Sequence, residues 1–110
     1  MTDSTIEEIS VQEAQKRLKD DVNIKLLDVR EPFEYEQARI EGSTLVDQTL
    51  VQEILASWDK ATPIILQCHH GMRSMQAAQF LAQNGFTNLA NMTGGIDAWS
   101  TEIDSSINRY

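Results

Sequence analysis

The chain has 110 residues, of which 41% are hydrophobic and 24% charged, a composition typical of one globular domain. Its formal net charge of −8 argues against nucleic acid or an anionic membrane as a partner. Because it has no long apolar run and no signal-peptide pattern at its start, we expect a cytoplasmic protein that does not enter a membrane.

The sequence predicts helices alternating with short apolar strands. Ser10 opens a capping-box pattern for the first helix, and Pro63 precedes the strongest strand signal. The predicted helices cover 11–19, 33–38, 49–57, a segment ending at Gln83 and a short segment carrying Trp99, and the predicted strands cover 24–29, 43–46, 64–67 and 88–92. This order predicts an α/β fold, with a small, mainly parallel sheet flanked by helices on both faces.

We find no repeat, linker or low-complexity tract, so the prediction is a single domain over residues 1–110. We also expect the protein to be a monomer. In parallel sheets, functional residues collect beyond the carboxyl ends of the strands. Asp28 and Arg30 lie at the end of one predicted strand, and Cys68 follows another. These residues converge if the two strands are neighbours.

Cys68, the only cysteine, lies between a predicted strand and the first turn of a helix. There the free backbone N–H groups and the helix dipole stabilise an anion. Gly71 allows a tight turn that points N–H groups inward, and Arg73 adds a cation five positions after the cysteine. A free cysteine is often only a small buried apolar side chain, but this setting favours a reactive thiolate with a lowered pKa.

Three segments carry a recognisable pattern, and in chain order they are Leu27-Asp28-Val29-Arg30-Glu31-Pro32-Phe33-Glu34-Tyr35, Cys68-His69-His70-Gly71-Met72-Arg73-Ser74 and Gly94-Gly95-Ile96-Asp97-Ala98-Trp99. Together they resemble the signatures of the rhodanese superfamily, in its single-domain sulfurtransferase branch. The resemblance implies a rhodanese-like fold and a thiosulfate sulfurtransferase-type enzyme that works without a cofactor.

The resemblance also implies a role for each matching residue. Cys68 would be the nucleophile and persulfide carrier, and the loop from His69 to Ser74 would bind substrate and stabilise the persulfide. Arg73 would orient the loop and bind the donor's sulfonate, while Asp28 and Arg30 would brace the loop. The expected partners are a small sulfur donor such as thiosulfate and an external acceptor, which is cyanide, a thiol or a protein.

Two alternatives remain open at this point. An arginine-assisted cysteine phosphatase also holds a thiolate in an anion-binding loop, but such loops have five residues between Cys and Arg, whereas four separate Cys68 from Arg73 here. A non-catalytic rhodanese-like binding module is the other alternative, although such modules usually lack the cysteine.

The histidine pair also raises the question of a metal. Neighbouring residues on a tight loop rarely direct both side chains to one point, so we expect no metal site and interpret His69 and His70 as loop-rim residues. Four large apolar side chains are expected in the core: Met75, Phe80, Met92 and Trp99.

Overall fold

A computed structural model describes residues 6–108, and helices alternate with strands throughout this range. The strands are β1 (Ile6–Ile9), β2 (Lys25–Asp28), β3 (Thr44–Leu45), β4 (Ile64–Gln67) and β5 (Leu89–Met92). The helices are α1 (Val11–Asp20), α2 (Pro32–Gln37), α3 (Gln48–Ser57), α4 (Met72–Gln83) and α5 (Gly95–Glu102). Every helix and strand predicted from the sequence is present, and the boundaries stated for them shift by at most one residue.

The five strands form one parallel sheet in the order β1-β5-β4-β2-β3. Strands β2 and β4 are neighbours, and Asp28 is paired in register with Gln67. The carboxyl ends of β2 and β4 therefore meet, as expected, and Cys68 emerges from the central strand of the sheet.

Strand β1 was not predicted. Its sequence, Ile-Glu-Glu-Ile, has two adjacent acidic residues, Glu7 and Glu8, which do not suggest a strand. It forms because it lies at the sheet edge, pairs with β5 on one side only, and leaves both glutamates exposed while Ile9 enters the core. Acidic side chains on an edge strand also discourage pairing with other chains.

Apolar side chains fill two layers, one on each face of the sheet. On one face α1 and α5 pack against Ile9, Leu26 and Ile65, and on the other α3 and α4 pack against Leu27 and Leu66. This arrangement confirms the predicted α/β architecture with helices on both faces. Within residues 6–108, no helix is long and apolar enough to cross a membrane.

The core predictions hold for two of the four large side chains, since Met92 and Trp99 are buried. Met75 is half-buried and is not among the residues of either apolar layer. Phe80 is 44% exposed, so its assignment to the core was wrong. On α4, Ala78 and Leu81 face the sheet. Phe80 directly precedes Leu81, and at about 100° per residue it lies to the side of this face, where solvent reaches it.

Candidate active site

The loop between β4 and α4 closes around the sulfur of Cys68. Cys68 Sγ accepts hydrogen bonds from the backbone N–H of Gly71 at 3.0 Å and of Ser74 at 3.4 Å, and the Ser74 hydroxyl lies 3.5 Å away. Gly71 has a φ of +107°, a conformation that L side chains rarely adopt. That turn lets two of the loop's backbone N–H groups and one hydroxyl reach the sulfur.

These donors decide the charge of the thiol. Burial by itself raises the pKa of Cys68, which is 1% exposed. Hydrogen bonds from the Ser74 hydroxyl and from the backbone of Ser74, Gly71 and His70 favour the thiolate and outweigh burial, so the pKa lies below the ordinary cysteine value. The thiolate is the nucleophilic form of cysteine.

Asn91 supports the loop from the neighbouring strand β5. Its side-chain amide donates to the carbonyl of Gly71 at 3.1 Å, and its carbonyl oxygen accepts a short hydrogen bond from the Ser74 hydroxyl. Asn91 is 2% exposed, so both contacts are shielded from water. The Asn91 side chain thus holds both the turn at Gly71 and the hydroxyl of Ser74 in position.

Arg73 is held by an acidic residue that the sequence did not single out. Its guanidinium makes a two-bond ion pair with Glu34 on α2, with N–O distances of 2.7 and 3.0 Å. The Glu34 side chain is 9% exposed and that of Arg73 is 42% exposed. The expected role of Arg73 in orienting the loop has a structural basis here, because the ion pair ties the start of α4 to α2.

Asp28 and Arg30 form a second, fully buried ion pair. Arg30 donates to both carboxylate oxygens of Asp28, and its closest contact there is 2.6 Å. It also donates to the carbonyls of Ala38 at 2.6 Å and Glu34 at 3.4 Å. The pair therefore positions α2, and through Glu34 it supports Arg73 and the cysteine loop.

The other wall of the loop is the first turn of α5. The backbone N–H of Ile96 donates to the carbonyl of Cys68 at 2.8 Å, and that of Asp97 donates to the carbonyl of His69 at 3.1 Å. Gly95 makes this approach possible, since an added Cβ would lie 2.1 Å from the Cys68 carbonyl oxygen. The Gly-Gly segment is thus a close-packing surface for the loop.

The two loop histidines differ from expectation. His69 and His70 have ring centroids only 4.0 Å apart, and both lie beside Asp97, with His70 Nε2 3.7 Å from Asp97 Oδ2. The premise that their side chains diverge was therefore wrong. Burial, followed by the neighbouring His70, lowers the pKa of His69. Of the remaining loop residues, Met72 projects outward and is 78% exposed.

A model of the rhodanese-like domain matches residues 10–102, which is most of the chain. The protein belongs to the rhodanese-like domain family. This finding confirms the family suggested by the three sequence segments.

Individual rhodanese-like relatives cover the chain to different extents. Over 92 residues it is 30% identical to the thiosulfate sulfurtransferase GlpE of Pseudoalteromonas translucida, in an alignment that covers 84% of this chain and 88% of that protein. It is 34% identical to the rhodanese-like/PpiC domain-containing protein 12, chloroplastic, of Arabidopsis thaliana, with 96% of this chain aligned but only 38% of that protein's length.

A solved structure gives the same fold. The rhodanese-like domain protein from Staphylococcus aureus superposes with a TM-score of 0.75, covering 94% of this chain and 98% of that one at 24% identity. At this level of identity the likeness establishes the rhodanese-like fold alone.

Sequence reasoning missed four residues that this rhodanese-like site uses: Glu34, Asn91, Gly95 and Asp97. Three of them lay inside the recognised family segments, but nothing local assigned them a contact with the loop. Asn91 lies outside those segments, and a polar side chain in an apolar strand was the available signal.

Proposed function

We propose that the protein is a sulfurtransferase, which moves a sulfane sulfur through a persulfide on Cys68. The observation that carries this proposal is the donor ring around Cys68 Sγ, formed by N–H groups of Gly71 and Ser74 at 3.0 and 3.4 Å and by the Ser74 hydroxyl. The 30% identity to a thiosulfate sulfurtransferase supports it.

In the first step, the Cys68 thiolate attacks the outer sulfur of a donor such as thiosulfate. A new S–S bond forms on Cys68, the S–S bond of thiosulfate breaks, and sulfite leaves with the electron pair. The inward N–H groups stabilise the terminal persulfide anion, which is electrostatic stabilisation of a covalent intermediate.

In the second step, an external nucleophile attacks the terminal sulfur. Cyanide gives thiocyanate, and a thiolate or a protein thiolate gives a new persulfide; in each case the Cys68 thiolate leaves with the electron pair. Because Cys68 is the only cysteine, no internal thiol can resolve the persulfide. The transfer needs no cofactor, since the thiolate serves both as nucleophile and as leaving group.

Arg73 contributes mainly by position in this mechanism. Its two hydrogen bonds to Glu34 orient the loop, while its exposed edge faces solvent, where a sulfonate approaches. Asp28 and Arg30 contribute indirectly: Arg30 donates to carbonyls of α2 and its C-cap, which holds in place the helix that carries Glu34.

The proposal extends to the setting of the protein. We place it in the cytoplasm as a monomer and as one functional domain. A reducing compartment keeps a lone catalytic thiol free of unwanted disulfides.

The phosphatase alternative needs a wider loop. Four residues lie between Cys68 and Arg73, and the N–H groups converge on one sulfur atom rather than on a ring of three equatorial oxygens. A non-catalytic binding module does not require a thiolate, so it would not account for the lowered pKa of Cys68.

Intact-mass spectrometry tests the function directly. Incubation with thiosulfate should add one sulfur atom to the protein, and cyanide or a small thiol should remove it. Cys68→Ser should not gain mass. Ser43→Ala, a substitution at a buried serine whose hydroxyl donates to the Ile40 carbonyl and which lies outside the 68–74 loop, should load like the wild type.

Two results would separate the alternatives. Loading from a persulfide donor but not from thiosulfate would keep sulfur transfer and change only the donor. No loading from any sulfur donor would reject the proposal, and hydrolysis of an aryl phosphate by the same sample would favour the phosphatase.

A further inference from the structure

A cluster of three potential metal ligands lies at the rim of the cysteine loop. It consists of His69, His70 and Asp97, and one ligand atom from each residue lies within 4.8 Å of the other two. Within it, His70 Nε2 lies 3.7 Å from Asp97 Oδ2. Around a tetrahedral zinc ion with bonds of about 2.1 Å, ligand atoms are separated by about 3.4 Å. Small side-chain rotations are therefore enough to close the cluster on an ion.

The backbone already holds the three residues in place. The N–H of Asp97 donates to the carbonyl of His69 at 3.1 Å, so the first turn of α5 and the loop are fastened together. Gly95 permits that contact, because any larger residue would collide with the Cys68 carbonyl. The backbone segments that carry the ligands are thus held together by contacts of the fold itself.

We propose that His69, His70 and Asp97 form a binding site for a divalent transition metal, with Zn²⁺ as the best match. Two imidazoles and a carboxylate form a ligand set that zinc prefers, and three protein ligands leave a fourth position open to solvent. The site is separate from the sulfur chemistry, because Cys68 Sγ points into the loop and is not part of the cluster.

The surroundings favour a cation. His70 is exposed, while His69 and Asp97 are partly exposed, so an ion has a path from solvent. The nearby positive charge of Arg73 is compensated by its ion pair with Glu34. The net charge of −8 further attracts divalent cations.

The sequence limits which residues can supply imidazole ligands in a metal-binding test. The chain has only two histidines, so in a tag-free preparation any imidazole ligation must come from His69 or His70. Isothermal titration with Zn²⁺ should give a one-to-one complex. Cobalt substituted for zinc should show visible d–d bands but no thiolate-to-cobalt charge-transfer band, because the ligands are nitrogen and oxygen.

Matched variants locate the site. His70→Ala and Asp97→Asn should each weaken Zn²⁺ binding at least about tenfold, since even groups that only support metal ligands have effects of that size. Asp97→Asn keeps the backbone N–H that contacts the loop, so the fold is retained. Asp104→Asn removes the same charge just beyond the other end of α5 and should bind like the wild type, as should Cys68→Ser.

Three results would overturn the proposal. Equal Zn²⁺ affinity in the wild type and His70→Ala would exclude the histidine pair. Equal affinity in Asp97→Asn and Asp104→Asn would exclude the carboxylate as a ligand. Loss of binding in Cys68→Ser would move the site to the thiol. None of these readouts depends on sulfur transfer.

Discussion

The Ser74 hydroxyl has a single proton and two acceptors within reach. One is the Cys68 sulfur at 3.5 Å, and the other is the carbonyl oxygen of the Asn91 side chain. When the thiol ionises, donation to sulfur becomes the stronger interaction, because a hydrogen bond to a charged acceptor gains more. The hydroxyl is therefore a donor that responds to the charge of the cysteine.

Removing this hydroxyl should make the thiol less acidic. In Ser74→Ala we expect the pKa of Cys68 to rise, because the largest of the interactions that lower it is lost. Only the thiolate reacts with iodoacetamide, so the midpoint of the curve of alkylation rate against pH should move to higher pH. Below the pKa the rate should fall roughly fivefold, the equivalent of one hydrogen bond of about 1 kcal/mol.

The experiment is run with a chelator, and Ser43→Ala serves as the control. Ser43 is also buried and its hydroxyl donates to a backbone carbonyl, but it lies far along the chain from the loop. An unchanged alkylation curve in Ser74→Ala would show that the backbone N–H groups alone set the acidity of the thiol.

Gln67, the residue before the cysteine, has a polar side chain that should lower the free energy of unfolding. Its side chain is fully buried, and within residues 6–108 neither its amide nitrogen nor its carbonyl oxygen has a hydrogen-bond partner. Buried polar groups without partners destabilise the folded state. Gln67→Leu has nearly the same size and should raise the free energy of unfolding by about 1 kcal/mol in urea denaturation.

Gln79→Leu is the matched control, because Gln79 is exposed on α4. It should leave the free energy of unfolding nearly unchanged. A destabilised Gln67→Leu protein would mean that the amide has a bonding partner in solution, and ordered water is the natural one at a site so close to Asp28.

Among the elements, α2 and α4 are joined through the ion pair of Glu34 with Arg73. Glu34→Gln keeps the shape but loses the charged two-bond grip. We expect a loss of about 1–2 kcal/mol in stability, because Arg73 is partly exposed and solvent screens the pair. Displacement of the loop should slow persulfide formation roughly tenfold.

Stopped-flow loading and urea denaturation measure the two effects of Glu34→Gln. Glu36→Gln lies on the same helix with an exposed side chain and should change neither. If loading is as fast in Glu34→Gln as in the wild type, α2 does not position the loop.

The contact between α5 and the loop can be tested at a glycine. Gly95→Ala should be strongly destabilising, because its Cβ would lie 2.1 Å from the Cys68 carbonyl oxygen. Gly42→Ala is the control, since Gly42 also has a positive φ but its added Cβ would meet nothing within 4 Å. In both variants the positive φ should lower the free energy of unfolding by about 1–2 kcal/mol. In Gly95→Ala, overpacking should lower it by roughly a further 1–3 kcal/mol.

Thermal and urea unfolding of both variants give the comparison. If both variants lost the same free energy of unfolding, the added methyl group would be accommodated by moving α5 away from the loop without loss of stability. A specific loss in Gly95→Ala should also make Cys68 react faster with a bulky thiol reagent, because the wall over the loop is displaced.

At the scale of the whole molecule, the alternating pattern of apolar segments was enough to predict the architecture. The cysteine loop was equally predictable, because its chemical groups are contiguous in the chain. Glu34, Asn91 and Asp97 were not, since each lies on a different element and reaches the loop only through the strand register and helix packing. Strand β1 escaped prediction because the edge of a sheet tolerates a polar sequence.

The strand order also dictates when the site can form during synthesis. Ile6 of β1 is paired in register with Leu89 of β5, so this edge closes only after nearly the whole described chain has left the ribosome. Asn91 and Gly95, which fix the cysteine loop, belong to the same late segment. Contacts this distant in sequence form slowly. We therefore expect the pKa of the Cys68 thiol to reach its lowered value only when β5 and α5 have folded onto the loop, late in synthesis.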